Sequence, residues 1–335
     1  MKSTPLPTYV QMEPVGQCNL RCTMCAIPFR EDGPPHGPPA FMPFATFCRL
    51  VDHFPTLEEL HLQGLGEPLM HPRFFDMVDY AAAKGIRVTT NSNFTLLNAS
   101  RAERCVQSGL DTVHISVDGA TAEMYEKIRI RGRWHKLLRN LHLIHEARRR
   151  HESTLPHLKM VSVIMRQNLH QLPDLVRRAW EWEMESLFVQ HLCHDFGEST
   201  LPAKYRPMRE YNARETLLAE EEARVEHYFA AARAVAEEVG LELRLPRVRP
   251  RRHPPGTPGR ERCNWPWNGA YISYDGHAMP CCMISTPDRA NMGNMAQDGV
   301  AQVWNNGRYQ TFRQALGSEQ PPEVCRSCSV YWGTF

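Results

Sequence analysis

The run Gly16-Gln17-Cys18-Asn19-Leu20-Arg21-Cys22-Thr23-Met24-Cys25 offers three thiols within eight residues, directly after a short β-rich stretch, Tyr9–Glu13. Thiols crowded in this way in a reducing compartment are read for metal binding or catalysis before disulfides. A closed zinc site takes four tetrahedral ligands, and this loop supplies three. A cubane iron-sulfur cluster held by three cysteines keeps one iron open to an external ligand, the arrangement that is useful for chemistry. A zinc knuckle completed by a distant residue, or a redox thiol set, also fits the spacing.

Outward from this run, short β-rich segments alternate with amphipathic ones, the pattern of repeated βα units around a parallel sheet. The expected strands are Tyr9–Glu13, Glu59–Gln63, Ile86–Asn91, Thr112–Val117, Lys159–Met165 and Leu187–Gln190, with helices such as Arg73–Lys84 and Leu137–Arg149 between them. Six units predict an α/β fold, a partial (β/α)6 TIM-like barrel, although a doubly wound open sheet shows the same alternation. The Ala-, Glu- and Arg-rich stretch Arg209–Val239 predicts one long, mostly solvated helix or two shorter ones. Prolines through Pro246–Arg262 predict a linker with little to bury. The organisation expected is a barrel core over 1–205, a helical extension over 206–245, the linker over 246–262 and a small domain over 263–335. In that last segment Tyr271–Met279, interrupted by Asp275-Gly276, reads as a hairpin, and a short helix is expected over Gln310–Leu316.

Lys+Arg 39 against Asp+Glu 37 in 335 residues leaves a net charge of +2. No strong basic excess marks a nucleic-acid binder. No apolar run approaches the roughly 18 residues of a spanning helix, and Met1–Tyr9 lacks the apolar core of a signal peptide. The expectation is a cytoplasmic protein without nucleic-acid or membrane partners.

The three-thiol run resembles the cluster motif of the radical S-adenosylmethionine (radical SAM) superfamily, in which the open iron is chelated by the cofactor's amino and carboxylate groups. Gly64-Leu65-Gly66-Glu67-Pro68 is similar to the family's GGEP element, with Leu65 departing from the pattern, and Ser116-Val117-Asp118-Gly119 is similar to its SxDG element. The resemblance implies S-adenosylmethionine contacts at Gly64, Gly66, Glu67, Asn91, Ser116, Asp118 and Arg129, with Asn93 and Asn168 nearby. Met24 takes a place that is often aromatic in the family and packs near adenine. It further implies an external electron donor such as flavodoxin or ferredoxin, reductive cleavage of the sulfonium to a 5′-deoxyadenosyl radical, and abstraction of a substrate hydrogen.

Cys263, Cys281, Cys325 and Cys328 form a second, complete four-thiol set near the C-terminus. Spacing alone leaves a zinc ribbon and an iron-sulfur site level. The surrounding sequence, CNWPWNGAYISYDGHAMPCC with the closing CRSC, resembles the auxiliary-cluster domain called SPASM, or its shortened form, twitch, known from aminocyclitol dehydrogenases. That implies two 4Fe-4S clusters in the chain, the first on Cys18, Cys22 and Cys25. Cys282, beside an expected ligand, and Cys193, in His-Leu-Cys-His-Asp-Phe after the sixth strand, are candidates for hydrogen donation or acid-base chemistry. Cys48 and Cys105, among apolar neighbours, read as core.

About eight residues precede the first strand, so the leader-recognition domain of many peptide-modifying relatives is not expected. The reading favours dehydrogenation or epimerisation of a small sugar- or aminocyclitol-like metabolite. Modification of a ribosomally made peptide or protein is the alternative, and a non-catalytic zinc-binding scaffold is the reading from another class.

Overall fold

The computed structural model describes residues 3–30, 40–192 and 196–334. Its sheet is built on β1 (Tyr9–Met12), β2 (Glu59–Leu62), β3 (Arg87–Ser92), β4 (Leu110–Ser116), β5 (His157–Val163) and β6 (Ser186–Gln190), all paired in parallel and in sequence order. Each lies within two residues of its expected ends. Beyond β6 the sheet gains the short parallel strand β7 (Glu242–Arg244). On the other side, β8 (Gly269–Ile272) pairs in parallel with β1, followed by antiparallel β9 (His277–Met279) and β10 (Gly293–Asn294). The order is therefore β10-β9-β8-β1-β2-β3-β4-β5-β6-β7. The expected hairpin is present, and its first strand continues the barrel sheet.

Period-two alternation decides which side chains meet the helices and which meet the lumen. Leu60 and Leu62 of β2, Val88 of β3, Val113 and Ile115 of β4 and Leu158 and Met160 of β5 are buried in the layer beneath the helices. The alternate positions Gln11, His61, Gln63, Thr89, Asn91, His114 and Ser116 line a central cavity. The barrel interior is thus polar along β1 to β4.

Helices α1 (Phe44–Asp52), α2 (Phe74–Ala82), α3 (Ala99–Gln107), α4 (Ala122–Ile128), α5 (Trp134–Arg150) and α6 (Leu172–Glu181) cover the outer face. In α2, Phe74, Met77, Val78 and Ala81 follow helical spacing and are all buried. Helix α4 starts where the Thr121 side chain accepts a hydrogen bond from the Met124 N–H. The stretch expected as one helix or two forms two, α7 (Arg206–Glu215) and α8 (Glu222–Val239), separated where Thr216 caps a short turn. Helix α8 is less solvated than its composition suggests, because Val225, Phe229, Ala232, Val235 and Ala236 are buried on one face. None of the described helices is long and apolar enough to cross a membrane.

Segment 246–262 lies along the C-terminal module. The Arg251 N–H donates to Trp332 O at 2.6 Å, and Arg262, 6% exposed, bonds Ser318 O at 2.8 Å and Glu319 at 3.0 Å. Its prolines exclude sheet pairing, but arginine heads find carbonyl and carboxylate partners there, so the segment buries more than its composition predicts.

Candidate active site

The loops leaving β1 to β4 meet at the carboxyl ends of the strands, the end at which parallel sheets bind ligands. They surround a cavity of about 660 Å³ lined by Cys18, Cys22, Met24 and Cys25 after β1, Gly64, Gly66 and Glu67 after β2, Asn91 and Asn93 at β3, Ser116 at β4, and Arg129 beyond α4. The cluster loop is held by its backbone. Arg21 N–H donates to Ile130 O at 3.0 Å and Thr23 N–H to Ile128 O at 2.9 Å. Asn93 Nδ2 reaches Asn19 Oδ1 at 3.0 Å and stands 3.7 Å from Cys18 Sγ, whose sulfur also receives the Leu20 N–H at 3.3 Å.

The two glycines after β2 are there for close approach. A Cβ on Gly66 would lie 1.9 Å from Val15 O and 2.7 Å from Gln17 O, and one on Gly64 would lie 2.4 Å from the Glu13 side chain. Next to them Glu67 N–H donates to Gln17 O at 2.9 Å, zipping this loop to the cluster loop. Both obstacles at Gly66 are backbone, so Gly66→Ala forces the two loops apart. Overpacking of this kind costs about 1–3 kcal/mol, and here we expect the upper end. If this loop cradles the S-adenosylmethionine that the sequence resemblance implies, the expected outcome is an affinity at least tenfold weaker, measured by equilibrium dialysis, with the barrel's far-ultraviolet circular dichroism retained.

Glu67 is 3% exposed and its carboxylate is engaged by the protein itself. Ser92 Oγ donates to Oε1 at 2.6 Å, Leu69 N–H donates to Oε1 at 3.2 Å, and Asn93 N–H donates to Oε2 at 2.8 Å. It ties the end of β2 to the end of β3. Asp118 does not line the cavity. Its Oδ2 pairs with Arg129 Nε at 2.7 Å and its Oδ1 accepts the Val163 N–H at 2.8 Å, so it aims the guanidinium that does line it. Arg129 Nη1 lies 4.0 Å from Cys22 Sγ. Asn168 is fully buried, donating to Asp118 O at 2.8 Å and Val163 O at 3.0 Å, and so braces this loop from behind.

Sequence reading missed the inward side chains of β1 and β2. Gln11 Nε2 donates to Gln63 Oε1 at 2.6 Å, and His61 Nδ1 meets Thr89 Oγ1 at 2.7 Å, with the His114 ring 6.1 Å away, edge to face. Burial pushes His61 down to about 3 and lowers His114, so both imidazoles are neutral at physiological pH. The signal was present as Glu59-Leu60-His61-Leu62-Gln63, a strand whose polar positions alternate with leucines.

The three thiols suit a cluster and not an empty pocket. Burial pushes Cys22 up to about 12 against the pull of the Arg129 guanidinium, and it raises Cys18 and Cys25 as well. As thiols they waste their ligand capacity, and as thiolates they repel one another, so a positively charged iron core satisfies both costs. Among the described residues no three His, Cys, Asp or Glu close around a single-ion position, whereas these thiols line one cavity. The second set behaves alike. Cys263, Cys281, Cys325 and Cys328 line an apolar pocket with Trp265, Phe312, Leu316 and Val324. Burial pushes Cys263 up to about 11 and raises Cys281 and Cys325 as well, each raised further by the other thiols of the set.

Adjacent residues serve the two spaces. Cys281 lines the auxiliary pocket, and Cys282 lines the central cavity together with Cys18, Cys22 and Cys25. Cys105 is buried in the core and Cys48 packs against it. Cys193 lies outside the described residues.

Two family models match the chain: the radical SAM superfamily over residues 12–179, half of the chain, and SPASM, an iron-sulfur cluster-binding domain, over residues 263–329. The chain belongs to the radical SAM superfamily. This radical SAM enzyme uses S-adenosylmethionine and 4Fe-4S clusters, and the zinc readings left open by spacing give way. It is 25% identical over 96% of its length to the tungsten-containing aldehyde ferredoxin oxidoreductase cofactor-modifying protein of Pyrococcus furiosus, covering 87% of that protein. It is 26% identical over 99% of its length to the PqqA peptide cyclase of Xanthomonas euvesicatoria, covering 84% of it. Among solved structures, Streptococcus suis SuiB bound to precursor peptide SuiA superposes with a TM-score of 0.69 at 15% identity, spanning 98% of this chain and 71% of that one. This likeness extends the shared fold through the C-terminal module.

These relatives correct one expectation. A small-molecule partner was favoured because few residues precede β1, but the chain aligns almost end to end with a protein named for cyclising a peptide. The length ahead of the first strand does not measure substrate size, since a peptide can dock on any face that leads to the cavity.

Proposed function

We propose that this radical SAM enzyme modifies a side chain or backbone carbon of a peptide or protein. The observation that carries the reading is the near full-length alignment with PqqA peptide cyclase. The cavity supports it, because Cys282, Met283 and Ile284 of the C-terminal module line the same space as the cluster loop, so one bound residue would face both cofactor regions.

S-adenosylmethionine, when bound to the reduced cluster, supplies a carbon radical that removes a hydrogen atom from the substrate. Cys18, Cys22 and Cys25 would hold that cluster, and Cys263, Cys281, Cys325 and Cys328 the auxiliary one. The backbone of Gly64 to Glu67, with Asn91, Ser116 and Arg129, would cradle the cofactor, while Asp118 fixes the Arg129 fork and Met24 borders the space. The walls keep water from so reactive a species. Flavodoxin or ferredoxin would supply the electron, and a reducing compartment such as the cytoplasm would suit so many cysteine ligands.

The test is anaerobic incubation of reconstituted enzyme with S-adenosylmethionine, dithionite and short peptides encoded beside its gene. Peptide-dependent 5′-deoxyadenosine and a change in peptide mass are expected. Turnover coupled to free sugars or cyclitols and to no peptide would sink the proposal. Cys282 would serve as an acid-base group beside the substrate, not a ligand. Accordingly Cys282→Ala is expected to keep full iron content and S-adenosylmethionine cleavage while slowing formation of oxidised peptide; loss of iron would make it a ligand.

A further inference from the structure

Glu13 and Arg30 form an ion pair sealed from solvent, with Nη1 to Oε1 at 2.6 Å and both side chains at 0% exposure. Such pairs contribute little net stability, because desolvation offsets attraction, so their use lies in fixing geometry. Here the geometry is specific. The same Oε1 accepts the Leu65 N–H at 2.9 Å and the Gly66 N–H at 3.4 Å, and the adjoining Gly64 has no room for a Cβ against the Glu13 side chain. Arg30 follows the turn Ile27–Phe29 that leaves Cys25, and its guanidinium lies 5.6 Å from the ring of Tyr274 in the β8–β9 turn. That ring in turn occupies the space a Cβ on Gly16 would need.

We infer that Glu13 and Arg30 are positioning residues for S-adenosylmethionine, a strut linking the cluster loop and the Tyr274 turn to the Gly64–Glu67 loop. Glu13 does not line the cavity, so the two N–H groups it holds are turned away from the cofactor space. A trans peptide directs its carbonyl opposite to its N–H. The carbonyls of Gly64 and Leu65 are therefore turned away from Glu13, giving an edge of acceptors, Gly64 O also taking a hydrogen bond from Gln63 Nε2, that suits the N–H groups of an iron-bound amine. Without the carboxylate, the two peptide planes are free to rotate and turn N–H donors toward that amine. The inference rests on reading this loop as the cofactor's cradle.

The experiment compares reconstituted wild-type enzyme with Glu13→Gln, Arg30→Gln and the double variant, reading S-adenosylmethionine affinity by equilibrium dialysis, iron content, and the electron paramagnetic resonance spectrum of the reduced cluster with and without the cofactor. Glu13→Gln is expected to weaken binding about tenfold, the scale of a hydrogen bond to a charged group. The double variant, which buries no unpaired charge, is expected to recover wild-type thermal stability and iron content yet keep the weakened binding. A spectral change induced by saturating cofactor should survive in all variants. Unchanged affinity in Glu13→Gln, or iron lost in the double variant, overturns the inference. Should Gly66→Ala also bind normally, the cradle reading itself fails, which separates the two errors.

Discussion

Cys22→Ala abolishes reductive cleavage of S-adenosylmethionine, with 5′-deoxyadenosine falling by at least about a thousandfold in an anaerobic dithionite assay. The loss follows from ligand number. Three thiols serve the cluster loop; of the other described cysteines, Cys48 and Cys105 are committed to the barrel's apolar layers and the C-terminal set to its own pocket, while Cys282, which lines the same cavity, stands on the C-terminal module and not on the cluster loop. The fold survives the change, because the loop is anchored by Arg21 N–H to Ile130 O and Thr23 N–H to Ile128 O, bonds that do not involve the sulfur. Iron content therefore falls to about half of the wild-type value, with circular dichroism unchanged. Cleavage at the wild-type rate would remove the site from this loop.

Cys325→Ala separates the two metal centres from the other side. Cys325 is 9% exposed among Cys281, Cys328 and apolar neighbours, and it lines the auxiliary pocket and not the central cavity. Its loss should remove the auxiliary cluster, halving iron, while 5′-deoxyadenosine formation stays within a few fold of wild type. Peptide oxidation should vanish, because an electron leaving the substrate radical then has no acceptor in the protein. Oxidation persisting without the auxiliary cluster would make the C-terminal module a scaffold only.

Much of the site was legible because its chemistry is local. Cys18, Cys22 and Cys25 lie within one loop, and Gly64–Glu67 and Ser116–Gly119 each close a strand that alternation marks out. Asp118 shows the limit of such reading. Its residue type and position match a cofactor contact, yet its carboxylate is turned to Arg129 and Val163, an orientation set by packing against β5. Glu67 is similar, since the donors on its oxygens come from Ser92 and Asn93 across the sheet.

By itself the sequence determined the two thiol sets, the six parallel strands and the end of the sheet where the loops gather, since ligand spacing and hydrophobic period are properties of neighbouring residues. Tertiary structure alone decided that β8 pairs with β1, that Cys281 and Cys282 face different spaces, and that Glu13 meets Arg30, Leu65 and Gly66. Those contacts join segments up to some 260 residues apart, and their partners are selected by packing and desolvation at closure, which no local pattern encodes.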